Sequence, residues 1–237
     1  MAFADLPSVI MVVGGCTTAM FVSYEPRYVI LALKLLVKIH SAPAITRNHL
    51  KGEVGRFIKW AYACQKDGPM GLEKEITDPK ALDPVLKFGS NLVIAGYEPD
   101  QIREIMENFI DNTFNRNMAP VNIMKDFAAG APAFGMVGTL VGLIIMLGAM
   151  GGSPEDLGAG LAVAMLTTLY GVIFARVIFL PAATKMQQRE SIYKFRNTIV
   201  VEGFCLLAQQ KAPRYVQDAL NAFLDPSIHY DIDTDKK

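Results

Sequence analysis

The sequence predicts an all-α integral membrane protein with three apolar spans and a helical cytoplasmic domain. Two long uncharged runs carry most of that expectation. Phe127 to Ser153 holds no charged residue in 27 positions, and after Glu155 and Asp156 the stretch Leu157 to Ala175 gives 19 more. A third run, Leu6 to Tyr24, is also 19 residues without charge. A hydrocarbon core of ~30 Å needs roughly 20 apolar residues as a helix, so each run is long enough to span it. Elsewhere the apolar residues recur at helical spacing, and no period-two alternation lasts long enough to argue for a strand.

The elements follow in order. Leu6 to Tyr24 reads as a membrane span rather than a signal peptide, because Asp5 precedes it, no Lys or Arg does, and no small-residue cleavage pattern ends it. Tyr28 to His40 continues as the same helix leaving the membrane, with Lys34 and Lys38 snorkelling toward water. Ser41-Ala-Pro43 breaks it. Leu50 to Lys66 is helical, with Val54, Phe57, Ile58 and Ala61 on one face. Asp67-Gly68-Pro69 breaks again, Met70 to Glu75 restarts, and Pro79 and Pro84 bound a connector before a helix from Val85 to Ala95. Gly96 to Pro99 is a helix stop followed by a helix start. Gln101 to Arg116 then carries Ile102, Ile105, Met106, Phe109 and Ile110 along one stripe. Beyond the apolar hairpin, Lys185 to Gln210 extends the last span, Pro213 to Leu224 makes a short final helix, and the polar tail from Asp225 is expected to fray.

Charge orients the spans and excludes several functions. The chain has 23 Lys+Arg and 23 Asp+Glu, so no basic field suggests nucleic acid. Mean hydropathy is +0.27 with 19% charged residues, which suits a membrane protein with a polar portion. Residues 25–126 carry 14 basic and 13 acidic side chains and 185–237 carry 8 and 7, whereas 151–157 carries no Lys or Arg. The positive-inside rule places the first two segments in the cytoplasm and the hairpin loop outside. Met1 then lies outside with no basic flank, which leads us to expect a further helix upstream of it. Cys16, Cys64 and Cys205 lack metal-ligand spacing and read as thiols of a reducing compartment. With scattered histidines and no nucleophile or acid–base pair, neither an enzyme nor a cofactor is expected.

Hydroxyls within the apolar hairpin are the sharper signal. Thr139 lies seven residues after Pro132, and Thr167 and Thr168 lie 14 and 13 residues before Pro181. At a rise of ~1.5 Å per residue these depths agree within a turn or two. Each hydroxyl could bond its own i−4 carbonyl, or the three oxygens could assist a partly dehydrated cation. None carries charge, and the only charged residue of the spans, Arg176, repels a cation and reads as a snorkelling side chain. An ion path here needs a carboxylate from a partner chain. Gly135, Gly138 and Gly142 are small enough for close helix packing, and we expect them to seat the hairpin against a neighbouring chain.

Four stretches together carry a resemblance: Phe3 to Gly15 (FADLPSVIMVVGG), Ala131 to Leu143 (APAFGMVGTLVGL), Ala162 to Gly171 (AVAMLTTLYG) and Phe179 to Ala182 (FLPA). In this order they resemble the A subunit of the bacterial flagellar stator, the MotA/PomA family. The resemblance implies four membrane helices, of which the first is missing here, in a multi-pass protein of the bacterial inner membrane. It implies five A subunits around a dimer of B subunits whose aspartate carries the coupling ion. Pro132 and Pro181 match prolines that couple ion flow to movement, and Asp5 matches an acid linked to ion access in sodium-type members. The threonine pattern also resembles sodium-type members, so sodium is favoured over protons as the transported ion. Lys66-Asp-Gly68 with Leu72-Glu73 resembles the rotor-facing charge pattern, making Lys66 and Glu73 the candidate contacts to a rotor switch-complex protein. Gln65 and Lys74 depart from that pattern, which often has a second base and a second acid there. The chain is thus divided into a membrane helix continuing inward (1–40), a rotor-facing helical domain (41–126), the ion-path hairpin (127–184) and cytoplasmic helices with a polar tail (185–237). The alternative is a non-flagellar member of the TolQ/ExbB/MotA group, energising an envelope, gliding or defence system.

Overall fold

Eleven of the thirteen prolines mark helix starts or helix interiors, and they explain most element boundaries. A computed structural model describes residues 5–41, 45–76, 82–151 and 154–233; Pro43, Pro79 and the 152–153 part of the acidic hairpin loop lie outside them. The described residues form α1 (Leu6–Ser23), α2 (Pro26–Val37), α3 (Arg47–Asp67), α4 (Pro69–Glu75), α5 (Pro84–Ile94), α6 (Pro99–Gly148), α7 (Pro154–Ile173), α8 (Leu180–Ala208) and α9 (Pro213–Asn221). No strand occurs among them, so the all-α class holds. Pro7, Pro26, Pro69, Pro84, Pro99, Pro154, Pro213 and Pro226 stand in the first turn of a helix. There the missing N–H costs nothing and the fixed φ is already helical. Among the described residues three helices are long and apolar enough to cross a membrane: Leu6–Ser23, Pro99–Gly148 and Leu157–Ala208, the last running through α7 and α8.

Two compact units emerge, each drawing on two stretches of chain. Residues 1–41 and 117–188 make the first. Its core joins Val12, Cys16 and Met20 of α1 to Met124, Phe127 and Ala131 of α6 and to Phe179, Ala183 and Met186 beyond α7. Phe127 and Phe179 stack with ring centroids 5.1 Å apart. The second unit takes 42–116 and 189–237. Phe57, Trp60 and Phe204 meet there at centroid distances of 5.0–5.9 Å. Gly203 lets Phe57 approach: a Cβ on it would lie 2.6 Å from the ring.

Three sequence expectations are corrected. Tyr28 to His40 is not a continuation of the first span, because the helix stops at Ser23 and α2 begins anew at Pro26. A proline cannot donate to the i−4 carbonyl and forces the residue before it out of the helical region, here Glu25 at ψ 134°. The tail is not frayed through residue 232. Asn221 holds Tyr230 by two hydrogen bonds of 2.8 and 3.0 Å, Gln217 accepts the Ile232 N–H at 3.0 Å, and Ile232 is buried. Finally, Gln101–Arg116 and the first hairpin run belong to one 50-residue helix, α6, which passes through Pro120 and Pro132.

The second unit also holds a buried ionic knot that periodicity does not reveal. Glu53 and Arg196, 1% and 4% exposed, join α3 to α8 through contacts of 3.1 and 2.5 Å. Arg196 reaches Asp83 as well, whose other oxygen caps α5 through the Val85 and Leu86 N–H groups. Arg56 at 2.7 Å and His49 at 3.3 Å also reach Glu53.

Candidate functional site

Small residues bring α6 and α7 together at backbone distance. A Cβ on Gly138 would sit 2.5 Å from the Thr167 Cβ, and one on Gly142 would sit 2.6 Å from the Ala164 nitrogen. Facing these, a Cβ on Gly160 would meet the Met146 nitrogen at 2.8 Å, and one on Gly171 the Ala131 oxygen at 2.7 Å. The glycines therefore pack the hairpin against itself, which corrects the expectation that they face a neighbouring chain. Small side chains on both helices are what allow this approach.

The threonines sit on that seam at one level. Thr139 Oγ1 lies 2.5 Å from Thr168 Oγ1, 3.1 Å from the Gly135 carbonyl of its own helix and 3.1 Å from the Ala164 carbonyl across the seam. Thr168 also reaches the Gly135 carbonyl at 3.4 Å. Thr167 differs: it is fully buried against Gly138 and donates to Val163 or Ala164, at 2.9 and 3.1 Å. Each hydroxyl has one proton to give and two lone pairs to offer. One of the Thr139 and Thr168 hydroxyls donates to the other and the second gives its proton to a carbonyl, leaving neutral oxygen lone pairs on Thr139, half-buried, and Thr168, exposed. Thr167 and Thr139 both lie 3.1 Å from the Ala164 carbonyl, whose two lone pairs can accept from each. Among the described residues no cluster of three His, Cys, Asp or Glu is placed to hold a metal ion.

Asp5 is the N-cap of α1. Its carboxylate accepts the Ser8 N–H at 3.0 Å and the Ser8 hydroxyl, while its own N–H points to the Tyr170 hydroxyl at 3.4 Å. Tyr170 is one turn from Thr167, so the structure places Asp5 beside the threonine-bearing helix. Ser8, wholly buried, was missed by the sequence reading, although Asp-x-x-Ser at a helix start is a legible cap. Tyr170 carried no such signal.

Pro132 and Pro181 both lie in the first unit, on α6 and α8. Before Pro181 the chain makes a π turn, Phe174–Phe179, in which the Leu180 N–H reaches back five residues to Ala175. A proline four residues on would clash with a tight helical turn, and the wider turn accommodates it. Arg176 lies on this turn, exposed, beside a cleft that also contains Pro132.

In the second unit, Gly68 ends α3 at φ 68°, a left-handed conformation that favours glycine, and Pro69 starts α4 at once. Charges crowd this tip. Lys74 pairs with Asp67 at 2.9 Å and Lys59 with Glu75 at 2.8 Å. The Lys74 ammonium holds the Asp67 carboxyl below its usual range. Lys66 and Glu73 are exposed and make no ion pair among the described residues. The departure at Lys74 thus has a local reason: it neutralises Asp67 and leaves Lys66 and Glu73 as the outward charges.

Comparison with known proteins shows the family and the fold. The family described as the MotA/TolQ/ExbB proton channel family matches residues 77–195. "Uncharacterized protein YtxD" of Bacillus subtilis is 32% identical across 94% of this chain and 79% of that protein. "Motility protein A" of Treponema phagedenis is 30% identical across 94% and 84%, and "Chemotaxis protein PomA" of Vibrio alginolyticus 29% across 94% and 85%. The flagellar MotAB stator complex of Bacillus subtilis shares the fold, with a TM-score of 0.84 at 22% identity over 95% of this chain and 87% of that one. Long apolar helices, a glycine–threonine seam and a matching chain order thus converge: the chain belongs to the MotA/TolQ/ExbB proton channel family, in its MotA/PomA branch of ion-channel subunits rather than enzymes.

Proposed function

We propose that this chain is the A subunit of an ion-driven flagellar stator in the bacterial inner membrane, coupling cation flow to torque on a rotor. The observation that carries the reading is the Thr139–Thr168 hydroxyl pair on the seam of α6 and α7, with Pro132 on α6 and Pro181 beyond α7 at the start of α8. Thr139, Thr167, Thr168 and Asp5 form the ion-path side, and Pro132 and Pro181 couple its state to movement. Asp5 is occupied as a cap and the seam offers only neutral oxygens, which supports a B subunit supplying the ion-carrying aspartate. Five copies of this chain around a dimer of that subunit would enclose it. One charge crossing ~100 mV yields ~2.3 kcal/mol, enough to bias a packed two-state interface.

Sodium is the favoured ion, because oxygen ligands replace part of a sodium hydration shell whereas a proton on a carboxylate needs none. Motor rotation should fall with external sodium at fixed pH and membrane potential, and that dependence should shift strongly in Thr167→Ala and Thr168→Ala. Undiminished rotation in sodium-free medium would leave the threonines as packing and backbone-bonding residues.

Lys66 and Glu73 are the proposed contacts to the rotor switch complex. Lys66→Glu combined with Glu73→Lys should abolish torque while ion conduction and membrane insertion persist. Single exposed pairs contribute only ~0–1 kcal/mol, so the double reversal is the informative variant; unchanged motility in it would reduce both to solvated charges.

A second reading has one observation in its favour. Identity to YtxD of Bacillus subtilis is 32%, above the 25% to "Motility protein A" of the same organism. A non-flagellar member of the group, energising an envelope, gliding or defence system, would leave swimming intact when the chain is deleted.

A further inference from the structure

A cleft of about 320 Å³ opens in the first unit beside the π turn, lined by Lys125, Ala128, Ala129, Pro132, Ala175, Arg176 and Leu180. Its walls are apolar and its two polar members are both cations. Lys125 and Arg176 are exposed, and neither makes an ion pair among the described residues. The neighbouring acid, Asp126, accepts the Tyr24 hydroxyl instead.

The position along the helices selects the occupant. Lys125 and Asp126 are the last charges before the 27 uncharged residues from Phe127, and Arg176 is the first after the 19 from Leu157. The cations therefore sit where an apolar slab gives way to water, with the apolar walls of Ala128, Ala129 and Pro132 reaching into the slab. An arginine fork and an ammonium at that depth match a phosphate, and basic pockets between membrane helices suit anionic headgroups. We propose that this cleft binds an anionic phospholipid, its phosphate between Lys125 and Arg176 and its acyl chain along Ala128, Ala129, Pro132 and Leu180. A bound lipid would brace Pro132 and the π turn from outside the protein, making the motion of both sensitive to headgroup charge. Snorkelling of Arg176 then has a specific destination.

Native mass spectrometry of the full chain, purified in neutral detergent, tests this with phosphatidylglycerol and phosphatidylcholine of identical acyl chains. Phosphatidylglycerol should bind about tenfold more tightly, and added salt should erode that preference. Lys125→Gln with Arg176→Gln should abolish it, while Lys34→Gln should retain it. Equal binding of the two lipids, or an unchanged preference in the double variant, overturns the site. If the double variant fails to fold, the wild-type salt titration decides, since a preference indifferent to salt is equally fatal. An acidic peptide that displaces the lipid assigns the cations to a protein carboxylate, and a preference lost on assembly assigns them to a second copy; either overturns the proposal. The stator reading is judged separately, by rotation: lipid preference retained in a chain that drives none would sink that reading alone.

Discussion

Gly142→Ala is expected to disrupt the membrane hairpin despite adding a single methyl group. The new Cβ would lie 2.6 Å from the Ala164 nitrogen and 2.8 Å from the Gly160 carbonyl, both backbone atoms that no rotamer change can move. Overpacking typically costs about 1–3 kcal/mol, and here relief requires α6 and α7 to separate, which also parts Thr139 from Thr168. Gly138→Leu should be equally harmful, but Gly138→Ala meets the Thr167 side chain. Thr167→Gly should therefore relieve Gly138→Ala and leave Gly142→Ala unrelieved. Ile144→Leu, at a position 68% exposed, should stay within about 0.5 kcal/mol of the parent. Thermal stability of the purified chain in detergent, read alongside ion conduction, checks the ranking. A Gly142→Ala protein as stable as Ile144→Leu would show that the seam is looser than described.

Arg196→Met is the second large effect. Arg196 bridges Glu53 and Asp83, tying α3, α5 and α8 of the second unit. Removing the guanidinium leaves Glu53, 1% exposed, with only the partly exposed Arg56 and His49 beside it. Breaking one side of a buried ion pair costs about 3–5 kcal/mol, because the remaining charge stays desolvated. Glu53→Gln should cost less, since Arg196 keeps Asp83 and the Asn197 oxygen at 3.0 Å. Chemical denaturation followed by the fluorescence of the single tryptophan, Trp60, would measure both. Its position beside Phe57 and Phe204 places the reporter in the core that the knot supports. Equal stability of Arg196→Met and the parent would show that the buried knot is dispensable for stability.

Hydropathy and proline spacing together determined the helices. An uncharged run of membrane length has one low-energy backbone form in lipid, because every N–H and C=O must be bonded within the segment. Prolines, in turn, are tolerated in the first turn and exclude the residue before them from the helix. The same local logic placed Thr139 and Thr168 at one depth, Gly68 at a break, and Lys66 and Glu73 near it. Tertiary structure alone decided what these residues face. Thr167 and Thr168 are adjacent and chemically identical, yet one is buried against Gly138 and the other opens outward; helical rotation sets their angle apart, but only the position of α6 says which side is covered. The glycines announced a close approach without naming α7 as the partner. Glu53 and Arg196 lie 143 positions apart, and Asn221 holds Tyr230 only once the tail has turned back on α9. Periodicity reports how a segment divides its own surface between apolar and polar. Which surface of another segment completes it is a property of packing, and packing is where the ionic knot, the docked tail and the buried Thr167 were decided.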